Sequence, residues 1–197
     1  MKKEKPFNLI LLGDPAAGKA TQAARLVKRY GLYDLDMGRE LRSPKMQKTI
    51  SYAVTAGKGM LTPTRFVRQI FERVIRVTPK TQGILFDGTP KMVGEAKFVA
   101  RLLGKYKRQN PLVIYLSIPL RETLERAGRR REYVGRKLAK REDDTDRGIK
   151  NRLKYYRTQI RRVVSFFKKH YTFTTISGMG TRDQIARRIL SWLKPRI

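Results

Sequence analysis

The chain has 197 residues, with 46 Lys and Arg against 16 Asp and Glu, for a formal net charge of +30. A hydrophobic share of 40% suffices for a packed core and argues against wholesale disorder. The carboxylates are too few for a dense surface ion-pair network or an acid-coated surface. Excess cation repels itself, so anionic partners are expected: nucleic acid, an anionic membrane or phosphorylated small molecules. With no cysteine, disulfide frameworks, thiol catalysis and zinc ribbons are excluded, and the single histidine, His170, cannot build a His-rich metal site. The basic start, Met1 to Pro6, leads into a run of six residues, Phe7 to Leu12, too short for a signal peptide or a membrane span. A soluble, reducing, cytoplasmic setting is the expectation.

Phe7 to Leu12 reads as a buried strand closed by a glycine-rich turn. Ala20, Ala23, Ala24 and Val27 then recur at helical spacing, predicting a helix over 18–30. Tyr33 to Asp36 fits a second short strand. Gly83 to Asp87 reads as a buried strand ending in a carboxylate, Leu112 to Ile118 as another, and Tyr171 to Ile176 as the last. Helical patterns fill about 38–56, 63–77, 91–108, 119–130, 143–169 and 181–193. Strands alternating with helices predict an α/β fold: a parallel sheet of about five strands with helices on both faces. Ligands of such sheets bind at the carboxyl ends of the strands. Residues 129–147 are charged and nearly free of large apolar side chains. They read as an exposed, mobile insert between two helices.

The strand-to-helix turn carries the chemistry. Gly13-Asp14-Pro15-Ala16-Ala17-Gly18-Lys19 matches the first seven positions of the P-loop pattern, with Ala20 and Thr21 next. Small residues let backbone N–H groups converge on a phosphate, the helix N-terminus adds positive potential, and Lys19 adds a charge. The order Gly18-Lys19-Ala20-Thr21-Gln22 resembles the phosphate loop of adenylate kinases and related nucleoside monophosphate kinases. Further segments follow that family's order. Met37-Gly38-Arg39-Glu40-Leu41-Arg42 looks like Thr-Gly-Asp-x-x-Arg, and Gly59-Met60-Leu61-Thr62-Pro63 resembles the stretch lining the acceptor base. Phe86-Asp87-Gly88-Thr89-Pro90-Lys91 looks like Asp-Gly-Phe-Pro-Arg, with Glu95 where a base-reading glutamine is usual. Arg126 and Arg130 match an arginine pair, and Arg141-Glu142-Asp143-Asp144 followed by Arg152 resembles the exit of the lid.

The resemblance implies a three-layer P-loop fold formed as one domain over 1–197, with a small helical NMP-binding insert at about 37–66 and a short lid at about 130–141. It implies transfer of the γ-phosphoryl of MgATP to AMP, giving two ADP. ATP is then held by residues 13–21 and Arg126. The monophosphate is held by Met37, Gly38, Arg42, Met60, Leu61, Gly88, Lys91, Glu95, Arg141 and Arg152. Magnesium sits near Thr21 and is held by Asp87 through water. The charge that develops on the transferred group is met by Lys19, Arg42, Lys91, Arg126, Arg130, Arg141 and Arg152. Phosphoryl transfer to an acceptor that is already anionic needs positioning and cations rather than a strong base. Arg126 and Arg130, four apart, share a helix face, and Arg141 and Arg152, eleven apart, are close to three turns apart. Without cysteine the lid is not the zinc-clipped form. Asp143 and Asp144 either order the closed lid or cap the helix that follows. A monomer is expected, without membrane attachment.

Several positions depart from the family pattern. Ala16 and Ala20 stand for glycines, and a positive φ at position 16 costs alanine about 1 kcal/mol or more. Arg39 replaces an aspartate, either adding to acceptor-phosphate binding or lying exposed without a role. Lys91 replaces an arginine and loses its fork geometry. Glu95, if ionised, only accepts hydrogen bonds, so it could take the adenine amino proton or the donors of guanine or cytosine. Met37 offers packing in place of a threonine hydroxyl. Two other readings compete: a protein of this fold acting mainly on RNA or a ribonucleoprotein, and a P-loop kinase with a different acceptor. Salt-dependent, nonspecific nucleic-acid binding is expected from charge alone. Residues 121–170 hold eighteen basic and seven acidic residues.

Overall fold

The computed structural model describes residues 6–41, 43, 64–129, 132–134, 137–139 and 146–197. In chain order the elements are β1 (Leu9–Gly13), α1 (Lys19–Tyr30), β2 (Tyr33–Asp36), α2 (Met37–Leu41), α3 (Thr64–Val77), β3 (Ile84–Asp87) and α4 (Val93–Lys105). There follow β4 (Leu112–Ser117), α5 (Leu120–Arg129), β5 (Glu132–Val134), β6 (Lys137–Ala139), α6 (Asp146–His170), β7 (Phe173–Ser177) and α7 (Arg182–Leu193). A 3₁₀ turn at Lys194–Arg196 follows α7.

β2, β3, β1, β4 and β7 form one parallel sheet in that order. All five strands fall on the segments expected from the sequence. β1 is buried on both faces, as a central strand between two helical layers must be. Leu9 and Leu11 pack with Leu85, Ile114 and Leu116 under α1 and α7, through Ala23, Leu26, Ile185 and Ile189. Ile10 and Leu12 point the other way, with Ile84, Phe86 and Val113, under α3, α4 and α6. The period-2 alternation of strand side chains thus builds two cores, one on each side of the sheet. Gln22, buried on α1, donates from Nε2 to the carbonyl of Arg182 at 2.9 Å and ties the two helices of its layer together.

Register fixes where the site falls. Leu11 and Asp36 both pair with Asp87, and Gly13 pairs with Leu116. The ends of β1 to β4 therefore share one edge, and the order reverses on either side of β1, which opens a crevice there.

Three boundaries differ from the expectations. α2 ends at Leu41, and residues 44–63 lie outside the described residues, so neither the helix expected over 38–56 nor most of the insert is described. α4 starts at Val93 rather than 91, because Met92 is extended (φ −125°, ψ 148°) and Glu95 caps the helix from its third position. The charged stretch after α5 holds β5 and β6, paired antiparallel with Glu132 opposite Ala139. A hairpin needs no core of its own, and Gly135 between the two runs is its sequence signal. Among the described residues no helix is long and apolar enough to cross a membrane.

Candidate active site

β1 delivers the chain to the crevice and Gly13 turns it. A Cβ at Gly13 would lie 2.5 Å from the carbonyl oxygen of Leu116, so only glycine fits against β4. The turn closes through the N–H of Ala17 donating to the carbonyl of Asp14 at 3.1 Å. Gly18 (φ 87°) is the residue before α1, and no described side chain caps it. No acid stands in the first turn of α1. The N-terminus of α1, with its helix dipole, thus faces the crevice with no acid of its own first turn.

Ala16 adopts φ +61°, the left-handed region that favours glycine. The expected cost at this position is therefore incurred, about 1–2 kcal/mol for a residue with a Cβ. Lys19 curls over the loop, its Nζ donating to the carbonyls of Gly13 and Asp14 at 2.8 Å each. A phosphate entering the loop would replace these carbonyls with a charged acceptor.

Asp14 does more than line the loop. Its Oδ1 accepts from the Tyr115 hydroxyl at 2.7 Å and its Oδ2 from the N–H of Ile118 at 2.9 Å. Its own N–H donates to the carbonyl of Leu116 at 2.9 Å. Tyr156, on α6, donates its hydroxyl to the carbonyl of Gly13 at 2.6 Å. Burial pushes that phenol well above its ordinary pKa, with Tyr115 and Asp14 adding to the shift, so it stays a donor. Sequence reasoning missed both tyrosines as site residues. The available signal was sequence spacing: Tyr156 stands four residues after Arg152, one helical turn.

Asp87 ends β3 beside Lys19, and a Cβ on Gly88 would lie 3.5 Å from Lys19 Cε. Burial raises the Asp87 carboxyl to about 6, Lys19 and Lys91 pulling it down and Asp36 and Asp34 pushing it up. Asp34 Oδ1 is the one buried side-chain polar atom without a hydrogen-bond partner among the described residues. Arg39 proves to have a role: Nη1 meets Asp34 Oδ2 at 3.0 Å, Nη2 meets the Asp34 carbonyl at 2.7 Å, and its N–H meets Asp36 Oδ1 at 3.0 Å. The cation therefore balances an acidic strand end rather than lying idle.

Glu95 is 4% exposed, and its Oε2 accepts from the N–H groups of Lys91 at 2.9 Å and Met92 at 3.3 Å. Burial raises its carboxyl above the usual value, against the lowering effect of those two N–H groups. One oxygen of the expected base reader is thus a helix cap. Met37 is buried in the core below α3, consistent with packing. Gly38 follows it on α2. Arg126 projects from α5, its Nε bonded to Glu122 at 2.5 Å and its Nη1 to the carbonyl of Gly178 at 3.1 Å. Pro15, Ala17, Ala20 and Thr21 lie on the loop and first turn of α1 as expected. Arg42, Met60, Leu61, Arg130, Arg141, Asp143 and Asp144 lie outside the described residues; Arg152 lies on α6.

A five-stranded parallel sheet whose first strand feeds a phosphate-binding turn and then a helix opening on Lys19 defines a P-loop phosphotransferase. The family model for adenylate kinase matches residues 11–172. An adenylate kinase of Porphyromonas gingivalis is 30% identical over 186 residues, covering 93% of each chain. Those of Phocaeicola vulgatus (27% identical, 94% of this chain and 97% of the relative) and Methanosarcina barkeri (26%, 95% and 99%) are similar too. The chain belongs to the adenylate kinase family, and it is a nucleoside monophosphate kinase.

Proposed function

We propose that this kinase transfers the γ-phosphoryl of ATP, taken up with Mg²⁺, to AMP, reversibly giving two ADP. The observation that carries this reading is the Lys19 ammonium poised over the uncapped N-terminus of α1, beside the Asp87 carboxylate. AMP as acceptor is supported by the relatives named above, all adenylate kinases, and by Gly38 in family order.

The residues present fit a hydrated magnesium ion: Asp87 is a buried carboxyl that ionises reluctantly, and a divalent cation beside it would relieve that cost. Among the described residues no three carboxylates converge as a ligand cluster, which leaves most of the shell to water and phosphate. Asp87 would hold the ion through water, with Thr21 nearby, since Mg²⁺ keeps much of its hydration shell. When bound it supplies charge neutralisation on the phosphate oxygens.

The chain's own groups do the rest. The N–H groups of the 13–18 turn hold the β-phosphate, and Lys19 leaves its two carbonyls to span the β- and γ-phosphates. Arg126, held by Glu122 and the carbonyl of Gly178, would meet the donor phosphates. Arg42, Lys91, Arg130, Arg141 and Arg152 would meet the acceptor phosphate and the transferred group, planar guanidinium forks suiting such oxygens. The lid at about 130–141 would close to exclude water. The test is ADP production from ATP and Mg²⁺ with each nucleoside monophosphate in turn, beside a Lys19→Ala control. AMP should be the best acceptor and the control inactive. Failure to phosphorylate any monophosphate would defeat the reading.

A further inference from the structure

Most of the cations have no place in phosphoryl transfer, and one layer of the molecule is nearly free of acid. On α1 and α7 together the only carboxylate is Asp183, which is spent on Arg25 at 2.6 Å. The same layer exposes Lys28, Arg29, Arg187, Arg188, Lys194 and Arg196. Arg187, Arg188, Ser191, Trp192 and Arg196 line a shallow surface groove. Trp192, half-buried against the core beneath α7, is the only tryptophan of the chain. The Arg196 guanidinium lies over its ring at 4.6 Å and donates to its carbonyl at 2.6 Å.

The groove is apart from the phosphate loop. α7 begins beside Gln22, near the loop, and Trp192 lies ten residues further along, about 15 Å at helical rise. We infer that the α1–α7 face binds single-stranded nucleic acid, its phosphates held by the arginines and lysines and a base stacked on the Arg196–Trp192 pair. Three observations favour this ligand class. Arginine, the better fork for phosphate oxygens, lines the groove in place of lysine. An aromatic ring sits among the cations, the arrangement that holds unpaired bases without sequence preference. An anionic bilayer would also answer the charge, but a membrane-surface face needs apolar anchors. The exposed large apolar side chains among the described residues, Val77, Leu120 and Leu124, lie on α3 and α5.

The single tryptophan makes the site directly observable. Titrate the intact protein with an oligouridylate of about 12 nucleotides, within the span of known single-strand sites, following Trp192 emission and the anisotropy of the labelled RNA. Quenching and binding should run together and weaken steeply between about 0.05 and 0.2 M salt. The Arg187→Ala/Arg196→Ala variant should weaken binding at least tenfold. It should lower the log–log salt slope by about 0.7 for each phosphate no longer neutralised and leave phosphoryl transfer unchanged. Trp192→Leu, its fold checked by melting, should weaken RNA about fivefold or more while sparing heparin. Binding without quenching, or binding insensitive to the double variant, would overturn the assignment. So would equal losses for RNA and heparin in Trp192→Leu, which would leave a polyanion surface only. Capture by phosphatidylserine vesicles in preference to RNA would transfer the face to membranes. None of these readouts depends on which monophosphate the enzyme accepts.

Discussion

Asp87→Asn separates the two demands made on the end of β3. In the folded protein the carboxyl ionises at about 6, against 3.8 for an unhindered aspartate. Each unit is worth about 1.4 kcal/mol, so keeping Asp87 ionised costs the metal-free fold up to about 3 kcal/mol near neutral pH. The sign follows from the raised folded-state value. Below about pH 3 the group is protonated in both states and carries no penalty. As pH rises towards 6 the unfolded chain gives up its proton first, and stability falls until the penalty is complete above the folded value. Asparagine keeps the shape and removes the charge, and with it the repulsion from Asp36 and Asp34. In EDTA at about pH 8 the variant should melt higher than the wild type, by at most about 6–12 °C at 2–4 °C per kcal/mol for a chain of this size. At about pH 3 the two should melt together. Adding ATP with Mg²⁺ should shrink or reverse the variant's lead, because the variant has lost the proposed metal carboxylate. Calorimetry at both pH values checks this. A variant no more stable than wild type at pH 8, or a gain that persists undiminished at pH 3, would refute burial of the charge as the cause.

Asp14→Ala strands the Tyr115 hydroxyl and the Ile118 N–H, and should cost about 2–4 kcal/mol in urea unfolding while raising KM for ATP. Tyr115→Phe should cost less, and the double variant less than the sum. Ala16→Gly removes a left-handed alanine but adds unfolded-state freedom, so a net gain of about 0–1 kcal/mol is expected in the same assay. Glu95→Gln keeps an oxygen for the two capping N–H groups and adds a donor, so it should raise kcat/KM for AMP relative to other monophosphates with little change in melting. Unchanged ratios would mean that position 95 does not read the base. Phosphate, sulfate or ATP should each raise the melting temperature, by relieving a net charge of +30.

The sequence by itself determined the sheet and the place of the phosphate loop. The five expected strand segments became five parallel strands, and the loop fell between the first strand and the first helix. That succeeds because burial on both faces and the geometry of a phosphate cradle restrict residue types locally, within a few positions. Charge also announced itself in the composition, as a surplus without an address. What the tertiary structure decided were pairings between residues far apart in the chain. Tyr115 and Asp14 stand 101 residues apart, and Tyr156 and Gly13 stand 143 apart; only the parallel register and the packing of α6 bring them together. The same register set Asp36 beside Asp87 and so burdened a carboxylate that, on sequence alone, was merely the end of a strand. Helix packing gathered cations of α1 and α7 onto one face, whereas the Arg39–Asp34 pair and the Glu95 helix cap are local, each closing within five residues of the chain. A local pattern can specify which groups are present; their charge state and their neighbours depend on which strands lie side by side.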